Sequence, residues 1–229
     1  MKIDKMKDLA NQLILLVKKD LILEWRTKEF TTASLVLGML IVVVLNFGIR
    51  LTSEQWEMAG PGVLWICFVL SGIVGVGRAF QSDFDNEALT GIDLLGISRD
   101  ILFFSKMTTC MIFIMMMLLV LIVPFIALLG FNPFSWELLV VLILFSLGFS
   151  LVSTLFVFVS NQTKSKDVIM YVLILPVVLP ILIASIEVTR ELVAGYPLNV
   201  TNHWLGILVG FDLVYLVICP WLFGIILDD

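Results

Sequence analysis

Apolar residues in this chain run in long blocks, near 31–49, 60–79, 103–129, 137–160, 168–187 and 203–227. Neither the two-residue alternation of a half-buried strand nor the narrow stripe of a soluble helix describes them. Each block supplies the roughly 20 apolar residues that a helix needs to cross a hydrocarbon core of about 30 Å. The pattern predicts an all-α integral membrane protein with six transmembrane helices. Residues 5–29 follow a different rule. Leu9, Leu13, Leu16 and Val17 share one helical face, continued by Leu21 and Trp25, and Lys18, Lys19, Asp20, Glu24 and Arg26 give polar cover. That periodicity predicts an N-terminal amphipathic helix lying on the membrane surface. A soluble helix packed on another subunit has the same signature.

Between the blocks, the polar punctuation predicts short connections. Arg50 to Gly60 leads to Pro61, which suits the first turn of the second span. Ser71, Gly72, Gly75 and Gly77 in that span let a neighbouring helix approach closely in lipid. They do not form a phosphate loop, because no Lys-Ser or Lys-Thr follows. The run Gly130-Phe-Asn-Pro-Phe134 reads as a tight turn. Pro176 and Pro180 in the fifth span each remove a backbone donor and kink the helix, for gating or simply for shape. Glu187 to His203 is expected to hold another short interfacial helix.

Composition closes off the soluble alternatives. The chain is 60% hydrophobic and 14% charged, with a mean hydropathy of +1.10, against about 45–50% and about 25% for soluble domains. The net charge of −5 matters less than where Lys and Arg fall, since these set orientation. Lys2, Lys5, Lys7, Lys18, Lys19, Arg26 and Lys28 precede the first span, and Arg78, Arg99, Lys106, Lys164 and Lys166 fall in alternate loops on the same side. Only Arg50 and Arg190 remain, so both termini are expected in the cytoplasm. Leu13 to Val17 is too short for a signal peptide and lacks a small-residue cleavage site. Cys67, Cys110 and Cys219 lie inside spans and read as packing residues. No nucleotide-binding loop, hydrolase elbow or zinc-protease motif is present, and a single histidine excludes a His-rich metal site. No catalytic residue, no metal and no nucleic-acid partner are expected.

Three places carry candidate chemistry. Arg78 to Arg99 is acidic (Asp83, Asp85, Glu87, Asp93) yet keeps Phe84, Leu89, Ile92, Leu94 and Leu95 at helical spacings. Acidic residues favour a helix start, so a short amphipathic helix that inserts into a partner's groove is one reading; an ordinary loop is the other. Asp212 falls near the middle of the last span, where a bare carboxylate costs about 2.5–3.5 kcal/mol. It is expected to face the bundle, a cavity or a partner, or to be protonated, and to serve a substrate path or a structural hydrogen bond. His203 at the edge of that span reads as an exposed interfacial histidine. Met115-Met116-Met117 read as packing or lipid-facing residues.

In this setting the sequence resembles the haem exporter protein B family (CcmB), membrane subunits of cytochrome c maturation. The resemblance runs through Lys19-Asp-Leu and Glu24-Trp-Arg-Thr-Lys-Glu29, Pro61-Gly-Val-Leu-Trp65, then Phe80, Asp83, Leu89, Gly91, Leu94 and Leu95. Arg99, Lys106 and Leu175-Pro-Val-Val-Leu-Pro180 complete it. Gln81 and Glu87 depart from the family, which often has Arg and Gly there, so no role is carried to them. The resemblance implies one permease unit over residues 1–229 with ABC-2-type architecture, dimeric and paired with a separate CcmA-like ATPase that binds the ATP. Residues 80–99 become the coupling segment, with Asp83, Phe84, Asp85, Leu89, Leu94 and Leu95 at the ATPase. A CcmC-like haem-handling membrane protein is the other implied partner, and haem the cargo, with no cofactor firmly held by this chain. Asp212, Pro176, Pro180 and His203 stand as pathway or structural candidates. An ABC-2 permease for a lipid, polysaccharide or drug-like amphiphile, or a scaffold without a pathway, shares the architecture.

Overall fold

The computed structural model describes residues 2–49, 52–85, 98–129, 132–133, 135–161, 166–198 and 202–226. Among them run helices α1 (Lys2–Thr27), α2 (Glu29–Gly48), α3 (Ser53–Asp85), α4 (Arg99–Leu129), α5 (Trp136–Asn161), α6 (Lys166–Val193) and α7 (Asn202–Ile226). Each helix from α2 to α7 holds a stretch long and apolar enough to cross a membrane. A helix satisfies its own backbone, which hydrocarbon requires. The spans alternate in direction, so α2, α4 and α6 begin, and α3, α5 and α7 end, at one end of the bundle, called the base below.

Helix α5 is the hub, packed against α3, α4, α6 and α7. Its run Ser146 to Thr154 explains why. Ser146, Gly148, Ser150, Ser153 and Thr154 are all small and buried, and small side chains let helix backbones approach where lipid offers no hydrophobic drive. Helix α2 buries only a narrow stripe, Phe30, Ser34, Gly38 and Val42, and lays it on α3. The fit is tight. A Cβ on Gly38 would sit 2.6 Å from Leu121, and one on Gly75 would sit 2.7 Å from the Phe30 ring. The small residues of the second span thus do what their spacing predicted. All three cysteines are buried and not disulfide-linked.

Several local expectations are corrected. Pro61 does not open α3 but lies inside it. The start is set earlier, where the Gln55 side chain accepts from the Thr52 amide (2.9 Å) and the Trp56 amide donates to the Thr52 carbonyl. Thr52-x-x-Gln55 has the capping-box sequence, and the Gln55 arm of that box is made. Glu187 to Val193 do not form a separate interfacial helix; they extend α6. The helix stops in a Schellman turn: Gly195 (φ 85) is left-handed, with Gly195 N donating to Leu192 O and Tyr196 N to Glu191 O. Pro176 and Pro180 stand on the exposed side of α6, beside Val172 and Leu179, and not toward the hub.

Helix α1 corrects the helical phase. Its inward residues are Leu13, Leu16, Val17, Asp20, Leu21 and Glu24, facing α4, whereas Trp25 is 83% exposed. Asp20 and Glu24 sit three and four residues on from the leucine face, so their place is in the stripe and not on the polar cover.

Candidate functional site

The base gathers the residues that flank the acidic segment. Helix α3 includes Asp83, Phe84 and Asp85, so these residues continue the second span's helix and do not open a separate one. Leu89, Leu94 and Leu95 lie outside the described residues. What is described is the frame on either side.

Lys106, which the sequence placed among the loop cations, is two turns into α4 and almost wholly buried. Its Nζ donates to Asp20 Oδ2 of α1 at 2.9 Å and stands 5.8 Å from the centre of the Phe80 ring of α3. Lys19 Nζ lies 3.2 Å from the other Asp20 oxygen. Desolvating both charges is expensive, and the short contact, the ring face and the second cation offset it. The small pocket beside the pair, about 20 Å³, has room for one water.

Aromatic rings carry the frame across the base. Phe80 meets Phe158 of α5 at 6.0 Å, Phe158 meets Phe223 of α7 at 4.9 Å, and Phe223 meets Phe103 of α4 at 5.1 Å. At the first residue of α4, Arg99 Nη1 donates to the Gly224 carbonyl of α7 at 3.1 Å. The two helices that bracket the acidic segment are therefore tied to α1, α5 and α7.

One turn above the ion pair, Glu24 joins α1 to α2. Its Oε1 accepts from the Thr31 amide (2.9 Å) and hydroxyl (2.7 Å), and its Oε2 from the Phe30 amide (3.2 Å). A carboxylate on the first amides of a span neutralises its unsatisfied donors and its dipole. Between the two helices, Lys28 adopts a left-handed conformation (φ 57, ψ 25), which costs a residue with a Cβ about 1–2 kcal/mol.

The second candidate lies mid-bundle. Asp212 is buried against α5, where a Cβ on Gly148 would come within 2.5 Å of its Oδ1. Among the described residues, neither carboxyl oxygen has a hydrogen-bond partner. Gly148→Ala is expected to lose about 1–3 kcal/mol of stability through overpacking, read as a lower midpoint of thermal unfolding in detergent. Gly148→Ala with Asp212→Ala should recover it. An unchanged midpoint in the single variant would show that the two residues do not meet. His203 is exposed at the start of α7, its ring 5.5 Å from that of Trp204. The structure brings together none of Asp212, His203 and the two prolines.

Six spans, one of them a buried hub, with an amphipathic helix docked at the base, define a multi-pass helical membrane protein of the permease class. A family model described as CcmB protein matches residues 11–228, and the chain belongs to that family. Its members are membrane permease components of haem export for cytochrome c maturation, within an ABC transporter complex that includes an ATPase and other membrane proteins. No curated relative matched the chain.

Proposed function

We propose that residues 1–229 form one permease unit that receives movement from a CcmA-like ATPase through residues 80–99 and transmits it across the base. The observation that carries this reading is the frame around that segment. Phe80 and Arg99, on its two sides, reach α1 through Lys106 and α7 through Gly224. Among the described residues, α3 and α4 are tied at the two ends of the segment to α1, α5 and α7, so a displacement of either helix is passed to three others. Asp83, Phe84, Asp85, Leu89, Leu94 and Leu95 are the residues assigned to the ATPase, the leucines filling a groove and the acids meeting its rim.

The chain acts as a dimer in the bacterial inner membrane with both termini in the cytoplasm, in line with the Lys and Arg distribution. ATP is bound and hydrolysed on the partner. Haem is the cargo of the assembly, and a CcmC-like membrane protein handles it beside this subunit. Asp212 serves in this scheme as a buried polar point at the hub, while Pro176, Pro180 and His203 shape the outer surface.

Replacing both Leu89 and Leu94 with Asp tests the coupling assignment. The expected result is loss of ATPase co-purification, with membrane insertion unchanged, since two buried contacts of this size dominate a small groove. Normal complex formation by the double variant would remove the segment from the interface. Haem staining of c-type cytochromes after deletion tests the cargo; unaltered cytochromes would refute it.

A further inference from the structure

A groove of about 430 Å³ opens sideways between α1, α2 and α4. Leu21 and Trp25 of α1, Leu35 of α2, and Met116, Met117 and Val120 of α4 form its apolar walls. Lys28 lies at the joint where α1 gives way to α2. From Lys28 to Leu35 the groove descends along α2 by about 10 Å, at 1.5 Å per helical residue. Met116 and Val120 are half exposed and Trp25 almost fully so, which leaves the groove open where spans α2 and α4 meet the bilayer.

Of the two charged residues that line it, Glu24 and Lys28, only the cation is exposed. Lys28 is exposed at the groove, with Arg26 and Lys18 exposed nearby on α1. The one acid among the walls, Glu24, uses both oxygens on Phe30 and Thr31. Glu29 lines the small pocket beside Lys106 instead. Trp25 beside basic residues is the usual signature of the headgroup level.

Lys28 itself is the second observation. Among the described residues it is the only one other than glycine with positive φ. Glycine settles in that region without strain, whereas lysine does not. Strained residues of this kind gather at ligand clamps and joints. A cation at a strained position, at the mouth of an apolar groove in the plane of the membrane, suits one class of ligand.

We propose that this groove binds an anionic phospholipid, its phosphate at Lys28 and one acyl chain against Leu35 and Val120. The lipid fills the angle between the surface helix and the first span, and so fixes that angle. This assignment stands apart from the haem reading above.

The test uses the full chain in phosphatidylcholine vesicles that contain brominated phosphatidylglycerol or, in parallel, brominated phosphatidylcholine. Quenching of Trp25 is isolated by difference against Trp25→Phe. The expected preference for phosphatidylglycerol is about fivefold, the factor one Lys contributes at an anionic surface. Lys28→Gly, which relieves the backbone, should keep thermal stability and bring the preference to about onefold, with Lys28→Glu reversing it. Val120→Phe, which narrows the groove where the acyl chain lies and keeps Lys28, should also abolish the preference. Equal quenching by both lipids in the unaltered chain, or a preference that survives Lys28→Gly, would overturn the proposal. So would co-purified haem that Val120→Phe removes, since the groove would then belong to haem.

Discussion

Lys106→Met is expected to lower the stability of the folded chain by about 3–5 kcal/mol, the range for removing one partner of a buried ion pair. The Lys106 and Asp20 side chains are 2% and 8% exposed, so bulk water does not reach them, and the one water the neighbouring pocket admits cannot replace the lost positive charge. Lys19 keeps one Asp20 oxygen company, but it is itself half exposed and cannot stabilise the other. Two readouts should move together: a lower thermal midpoint in detergent, and faster tryptic cleavage after Lys18, Lys19 and Arg26 as α1 leaves α4. Asp20→Leu with Lys106→Met should recover most of the midpoint, because an apolar pair of similar volume often replaces a buried ion pair without loss. If the single variant keeps its midpoint and its protease resistance, the pair is not what docks α1.

Glu24→Ala is expected to be nearly as damaging, by about 2–3 kcal/mol, the scale of hydrogen bonds to a charged acceptor. Three donors at the start of α2 lose their partner, and one of them belongs to Phe30, which is buried against Gly75 and stands 5.3 Å from the Phe113 ring. Fraying there would loosen the whole stripe that α2 lays on α3. Glu24→Gln keeps an acceptor but not the charge, so its loss should be intermediate. Amide hydrogen exchange at Phe30 and Thr31 reads the effect directly. Unchanged protection in Glu24→Ala would mean that water caps the helix equally well.

The spans were legible because long apolar blocks have one solution in a bilayer, and the structure moves their ends by only a few residues. Finer features are written in the chain in short motifs. Thr52-x-x-Gln55 announces the start of α3, Ala194-Gly-Tyr-Pro197 the end of α6, and the cluster from Ser146 to Thr154 the hub. The phase of α1 was harder. Asp20 and Glu24 look like solvent cover until their partners are known, and Lys106 lies 86 residues from Asp20. No local pattern reports a pairing over that distance. The same limit applies to Asp212, whose neighbour Gly148 has no side chain to mark the contact.

The hub helix also bears on biogenesis. Chains enter the bilayer from the N-terminus, so α5 arrives while α6 and α7 are still being synthesised. During that interval the backbone around Gly148, later covered by Ile181 of α6 and by Phe211 and Asp212 of α7, must face lipid or the insertion machinery. Helices α6 and α7 thus act as the closing half of a shell around a helix that was inserted before them.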